Sequence, residues 1–111
     1  MLVIALKDNH VAAWEAVYRG ARQLGATFVL GGSGHNAGII NPPAANKHGF
    51  WTNAKQPEDA QEWLGTATRN EGSWWPWWAK WLEAAGSAKT VAARQPKDPI
   101  EPAPGRYAMM P

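Results

Sequence analysis

The sequence predicts an α/β fold, the closing part of a larger domain: a parallel βαβ unit, then helices, then an extended proline-rich tail. Three observations carry this reading. Residues 2–6, LVIAL, and 27–30, TFVL, are short apolar runs without alternation, as expected of strands buried on both faces of a parallel sheet. Between them, VAAWEAVYRGARQLG repeats apolar residues at helical steps, with Trp14, Val17, Ala21 and Leu24 on one face. Five of the nine prolines fall between residues 96 and 111, a density that neither a helix nor a central strand tolerates.

Taken in order, the first strand is followed by KDNH, where Asp8 or Asn9 is placed to cap the helix and Gly25 to end it. Strand, helix and strand within about 30 residues make a βαβ unit with a right-handed crossover. Next comes GGSGHNAGIIN at 31–41, with four glycines around one histidine. Glycines there let the backbone turn sharply and leave His35 uncovered, as a proton carrier requires. The following IINPPAANKHGFWTN, with its paired prolines and several Asn, reads as an ordered, non-repetitive loop. PEDAQEWLGTAT at 57–68 reads as a helix with Pro57 in its first turn and a stripe of Ala60, Trp63, Leu64 and Ala67. Ser73 caps a second helix, WWPWWAKWLEAAG, which accepts Pro76 because it lies in the first turn. The expected organisation is therefore 1–53, the βαβ unit with its His loop; 54–95, a Trp-rich helical segment; and 96–111, an extended tail lying over a surface.

Two strands alone do not make a stable sheet, and eight tryptophans exceed what two strands cover. Hence the expectation that earlier strands of the domain are missing. Eleven basic and nine acidic side chains leave a net charge of +2, too mild for nucleic-acid binding. No apolar run approaches the roughly 20 residues of a membrane span, and no signal peptide is visible. The chain has no cysteine, which excludes disulfides, fits a cytoplasmic setting and removes one candidate nucleophile.

The chemistry is expected at the carboxyl ends of the two strands, where side chains of doubly wound folds converge. Asp8, Asn9 and His10 follow the first strand and His35 follows the second. An acid after one strand and a histidine after a later one is the chain order of α/β-hydrolases. There the histidine's Nδ1–H is held by an oxygen acceptor while Nε2 takes the nucleophile's proton. No strand-turn-helix nucleophile elbow is present. The glycine loop misses both common phosphate-loop spacings. His10 and His48 have no Cys or His at ligand spacing, so no metal and no cofactor are expected. The tryptophans at 74–81 read as core packing rather than as a stacking platform for sugars or polymer.

Three stretches, GGSGHNAGIINPPAANKHGFWTN, EWLGTATRNEGSWWPWWAKWL and IEPAPGRY, together resemble the C-terminal end of class I polyhydroxyalkanoate synthases, in collinear order over nearly the whole chain. The resemblance implies an α/β-hydrolase-like catalytic domain, an acyltransferase that polymerises (R)-3-hydroxyacyl-CoA into storage polyester in the cytoplasm or at the polyester granule surface. It implies that His35, in the family's G-H-x-A-G-x-x-N-P-P, is the general base of a cysteine nucleophile. The family's acid segment, D-H-[IV]-x-P-W, is met here by NHVAAW. Asn9 stands at the acid position and Asp8, one residue earlier, is a possible substitute acid. Trp77 stands where the family usually has Asp. Without a Cys the chain cannot form the family's thioester, so it is expected to be inactive alone, as a C-terminal piece that needs the upstream synthase segment or self-associates. The alternative is a non-catalytic binding module that contacts polymer or a synthase partner through its Trp cluster.

Overall fold

A computed structural model describes residues 1–86 and 90–110; residues 87–89, within the segment read as helical, and residue 111 of the tail lie outside the described residues. The predicted βαβ unit is present. Strands β1 (Leu2–Leu6) and β2 (Thr27–Gly31) pair in parallel, Leu2 opposite Thr27 and Leu6 opposite Gly31. Helix α1 (Trp14–Gln23) connects them. It starts later than expected, with Ala13 at its N-cap and no side chain capping it, so neither Asp8 nor Asn9 plays that part. Gly25 ends it in the left-handed conformation, φ 61°, as the sequence predicts.

The sheet has four strands, not two. β3 (Phe50–Thr52) pairs antiparallel with β2, and β4 (Thr68–Asn70) antiparallel with β3, giving the order β1-β2-β3-β4. β3 lies inside the stretch read as loop, and β4 at the end of the stretch read as helix. The helix there, α2 (Ala60–Gly65), is correspondingly short and begins at Asp59, whose carboxylate accepts from the amides of Gln61 and Glu62.

Strand alternation sorts the side chains into two cores. On one face Ala5, Phe28 and Leu30 pack with Trp14, Tyr18 and Ala21 of α1 and with Ala60 and Trp63 of α2. Trp63 is fully buried, edge-on to Phe28 at 4.9 Å between ring centres, a favoured aromatic arrangement. Tyr18 is also fully buried in this core, whereas Leu24, expected on the same face, is exposed at the C-cap. On the other face Val29, Phe50 and Trp74 are buried, with Leu2, Ile4, Ile39, Trp75 and Trp77 against them. Helix α3 (Trp75–Ala85) has Trp74, not the expected Ser73, at its N-cap; the Ser73 hydroxyl accepts from the Trp75 amide at 3.1 Å one residue before that position, and Pro76 sits in the first turn. The four-stranded sheet thus covers Trp14, Trp63 and Trp74, which two strands were not expected to do. Trp78 and Leu82 further along α3 stay exposed.

Among the described residues β2 is the one strand buried on both faces. Leu2, Val3 and Ile4 of β1 are half-buried, and β1 pairs on one side only. The tail does not lie over a surface: of residues 96–110, all but Glu101 and Gly105 are exposed. Its ordering contacts are internal, with Glu101 accepting from the backbone and side chain of Arg106.

Candidate functional site at the carboxyl edge of the parallel strands

The parallel pairing of β1 and β2 brings the two loops beyond them together. The Lys7 amide donates to the Gly31 carbonyl at 2.9 Å and the Asp8 amide to the Ser33 carbonyl at 3.3 Å. The loop after β1 therefore lies along the His loop from its first residue. Gly34 is what permits this approach, since a Cβ there would stand 2.8 Å from the Asp8 carbonyl oxygen. Gly38 permits the second, the folding of the His loop back on itself, since its Cβ would stand 2.0 Å from the Gly32 carbonyl oxygen. No side chain fits at either distance.

These glycines serve close packing rather than sharp turning. The left-handed residues of the loop are Ser33, φ 75°, and His35, φ 54°. Histidine is among the non-glycine residues enriched in that region, so the turn is made at the candidate residue itself. His35 is exposed. Its imidazole stacks on that of His10 with ring centres 5.6 Å apart and planes 20° from parallel.

The structure thus gathers Asp8, Asn9, His10 and His35 at one edge. It does not link them through hydrogen bonds: among the described residues none joins the His35 imidazole to Asp8 or Asn9. The Asn9 carboxamide oxygen accepts from the Val11 amide at 3.0 Å in a local turn. The exposed Asp8 carboxylate has no such tie. His48, left-handed at φ 52°, is exposed in the 42–49 loop and makes no ring contact with the other two histidines. Among the described residues no three His, Cys, Asp or Glu side chains converge on a point where a metal ion would sit.

Two features escaped sequence reasoning. Asn41 is 2% exposed and ties the loop across a six-residue span by donating to the Lys47 carbonyl, its own Oδ1 without a partner among the described residues. The Trp74 and Trp75 indoles both donate to the Ile39 carbonyl, at 3.0 and 2.8 Å. The doubled tryptophan after Ser73 was the available signal, since a packed indole N–H usually finds an acceptor, although that of the buried Trp63 has none among the described residues. Beside the site, Trp51 of β3 carries Lys7 Nζ 4.8 Å and Arg69 5.8 Å from its ring centre, so the two cations share one aromatic partner.

The class that fold and site define is an α/β segment whose exposed histidine, on a glycine-packed loop, stands beside the loop carrying an acid and an amide from the neighbouring parallel strand. Comparison with known proteins gives the particular relatives. The chain is 46% identical over 107 residues to the poly(3-hydroxyalkanoate) polymerase subunit PhaC of Cupriavidus necator, covering 91% of this chain and 18% of that protein. It is 41% identical over 108 residues to the PhaC of Rhizobium meliloti, covering 94% of this chain and 18% of that protein. To the poly(3-hydroxyalkanoate) polymerase 2 of Ectopseudomonas oleovorans it is 39% identical over 112 residues, covering 96% and 20%. No protein-family model matches. By sequence the chain is homologous to a segment of these poly(3-hydroxyalkanoate) polymerases, spanning about a fifth of the length of the curated relatives it matches.

Proposed function

We propose that this chain forms the C-terminal part of a polyhydroxyalkanoate synthase catalytic domain of α/β-hydrolase-like type, and that His35 is its general base. One observation carries the reading: the His35 loop, GGSGHNAGIINPP, is packed at the carboxyl end of β2 directly against the loop bearing Asp8 and Asn9. In this reading His35 Nε2 takes the proton from a cysteine thiol supplied by a synthase segment outside this chain. The thiolate then attacks the thioester carbonyl of an (R)-3-hydroxyacyl-CoA and CoA leaves. A carboxylate or amide from the β1 loop would hold Nδ1–H and favour the imidazolium that forms. With no cysteine in its sequence, the chain by itself cannot form the family's acyl thioester. Substrate and polyester belong to the assembled enzyme, in the cytoplasm or at the granule surface. Among the described residues no helix is long and apolar enough to cross a membrane.

The test replaces the matching segment of the Cupriavidus relative with this chain and follows CoA release from 3-hydroxybutyryl-CoA. Turnover by the chimera, lost by at least about a hundredfold in His35→Asn, is the expected result. The isolated chain should release no CoA above buffer. Release by the isolated chain that depends on His35 would instead point to a water-activating site. A second reading, a binding module for polymer or a synthase partner, is favoured by the exposed Trp78 and Leu82 on α3. A chimera that folds but never turns over would favour it.

A further inference from the structure

We propose that Trp74 and Trp75 are positioning residues for His35, acting as a two-donor clamp on the Ile39 carbonyl. This rests on the reading of His35 as the base. A carbonyl oxygen has two lone pairs and an indole N–H donates only. Here both lone pairs are used by adjacent tryptophans of one helix start, at 3.0 and 2.8 Å. Trp74 is 7% exposed and anchored in the core beneath β2 and β3, so the clamp is fixed to the sheet rather than to the loop it holds.

From Ile39 the restraint reaches His35 over a short, stiff path. The amides of Ile39 and Ile40 both donate to the Asn36 carbonyl, at 3.0 and 2.8 Å, which makes residues 36–40 a closed turn. Gly38 within that turn is pressed against the Gly32 carbonyl, so the turn cannot slide along the loop. His35 immediately precedes it, in a left-handed conformation that persists only where the surroundings over-determine it. The hydrogen bonds that fix the other end of the loop, from the Gly32 amide to the Gly49 carbonyl and from the Asp8 amide to the Ser33 carbonyl, lie on the far side of His35. The clamp therefore supplies the second of two anchor points, and the imidazole orientation against His10 depends on both. Neither tryptophan touches reacting atoms; their effect passes through the backbone.

Phenylalanine at 74 and 75 keeps the aromatic packing and removes the donors. In the chimera each single variant should keep kcat within about threefold, because the remaining indole still holds the carbonyl, while the double variant should lose about tenfold or more in kcat with KM nearly unchanged. In the 111-residue chain the double variant should shift the His35 ring resonances and leave those of Tyr18 and Phe28, on the opposite face, in place. A double variant with wild-type kcat, or with unmoved His35 resonances, overturns the clamp. Should that variant fail to fold, the unsubstituted chain decides. The Trp74 and Trp75 indole N–H protons should exchange at least about tenfold more slowly than that of the exposed Trp78, and exchange of either at the Trp78 rate overturns it. If the unsubstituted chimera turns nothing over, the polymerase reading fails while the His35 and indole signals still decide the clamp.

Discussion

Asp8 and Asn9 are neighbours at the end of β1, yet their side chains are differently committed. Asn9 spends its carboxamide oxygen on the Val11 amide, and a carboxylate oxygen would accept that bond equally well. Asn9→Asp therefore keeps the turn and adds the negative charge that an amide does not offer a developing imidazolium. In the chimera this substitution should raise kcat by about tenfold or more, given how much the acid of a triad contributes. No rise, together with a loss of turnover in Asp8→Asn, would assign the third member to Asp8. His10 enters the same description, since its ring stacks on that of His35. Sequence pattern placed His35, Asp8 and Asn9 at one edge correctly, because parallel strands send their carboxyl ends the same way. It could not foresee the left-handed backbone at His35. Glycines on either side looked like the turn-makers, and only the close approach of Gly34 and Gly38 to other carbonyls reveals their true task.

At the scale of elements, the parts legible in the sequence are those with a strong period or a strong stop. β1, α1, β2 and the start of α3 fall in this group, with Gly25, Ser73 and Pro76 as their markers. β3 and β4 were not legible because each is three residues long, too short for alternation to register. Thr68-Arg69-Asn70 also has weak strand propensity and is held by its position on the sheet edge, with the Asn70 side chain donating to Thr52 Oγ1 at 3.2 Å. α1 carries a test of its own packing. Tyr18, buried between sheet and α2, donates its hydroxyl to the Pro57 carbonyl, and burial raises its pKa above 10.0, with nearby Glu62 and Asp59 adding to the rise and Arg22 opposing it. The folded chain holds that proton more tightly than the unfolded one, so this contribution is complete below pH about 10 and is lost as pH rises through the folded value. Stability should therefore fall on the alkaline side, and Tyr18→Phe should flatten that fall in a denaturant titration repeated across pH 8 to 11, as estimated from the tyrosine reference value near 10. An unchanged alkaline slope would show that Tyr18 ionises as freely folded as unfolded.

The whole molecule has a well-covered centre and two open margins. Its radius of gyration is 18.0 Å, against about 13 Å for a compact chain of about 100 residues, because the tail stands away from the sheet. One margin is β1, half-buried and unpaired along its outer side; the other is the α3 face with Trp78 and Leu82. An unpaired strand edge and large apolar side chains exposed one helical turn apart are both features that seek a partner. We expect the isolated chain to self-associate, with sedimentation showing species above 12.1 kDa, and Trp78→Glu with Leu82→Glu to lower the association. A monodisperse monomer with a sharp unfolding transition would instead show that the four strands and their two cores suffice. The left-handed backbone at His35 has a different kind of consequence, in how such a gene can change. Among the residues reached from a histidine codon by one base substitution, Asn and Asp accept the left-handed region most readily. Such a lineage loses its imidazole and keeps its loop, so the proposed chemistry at this position can lapse while folding gives selection nothing to remove.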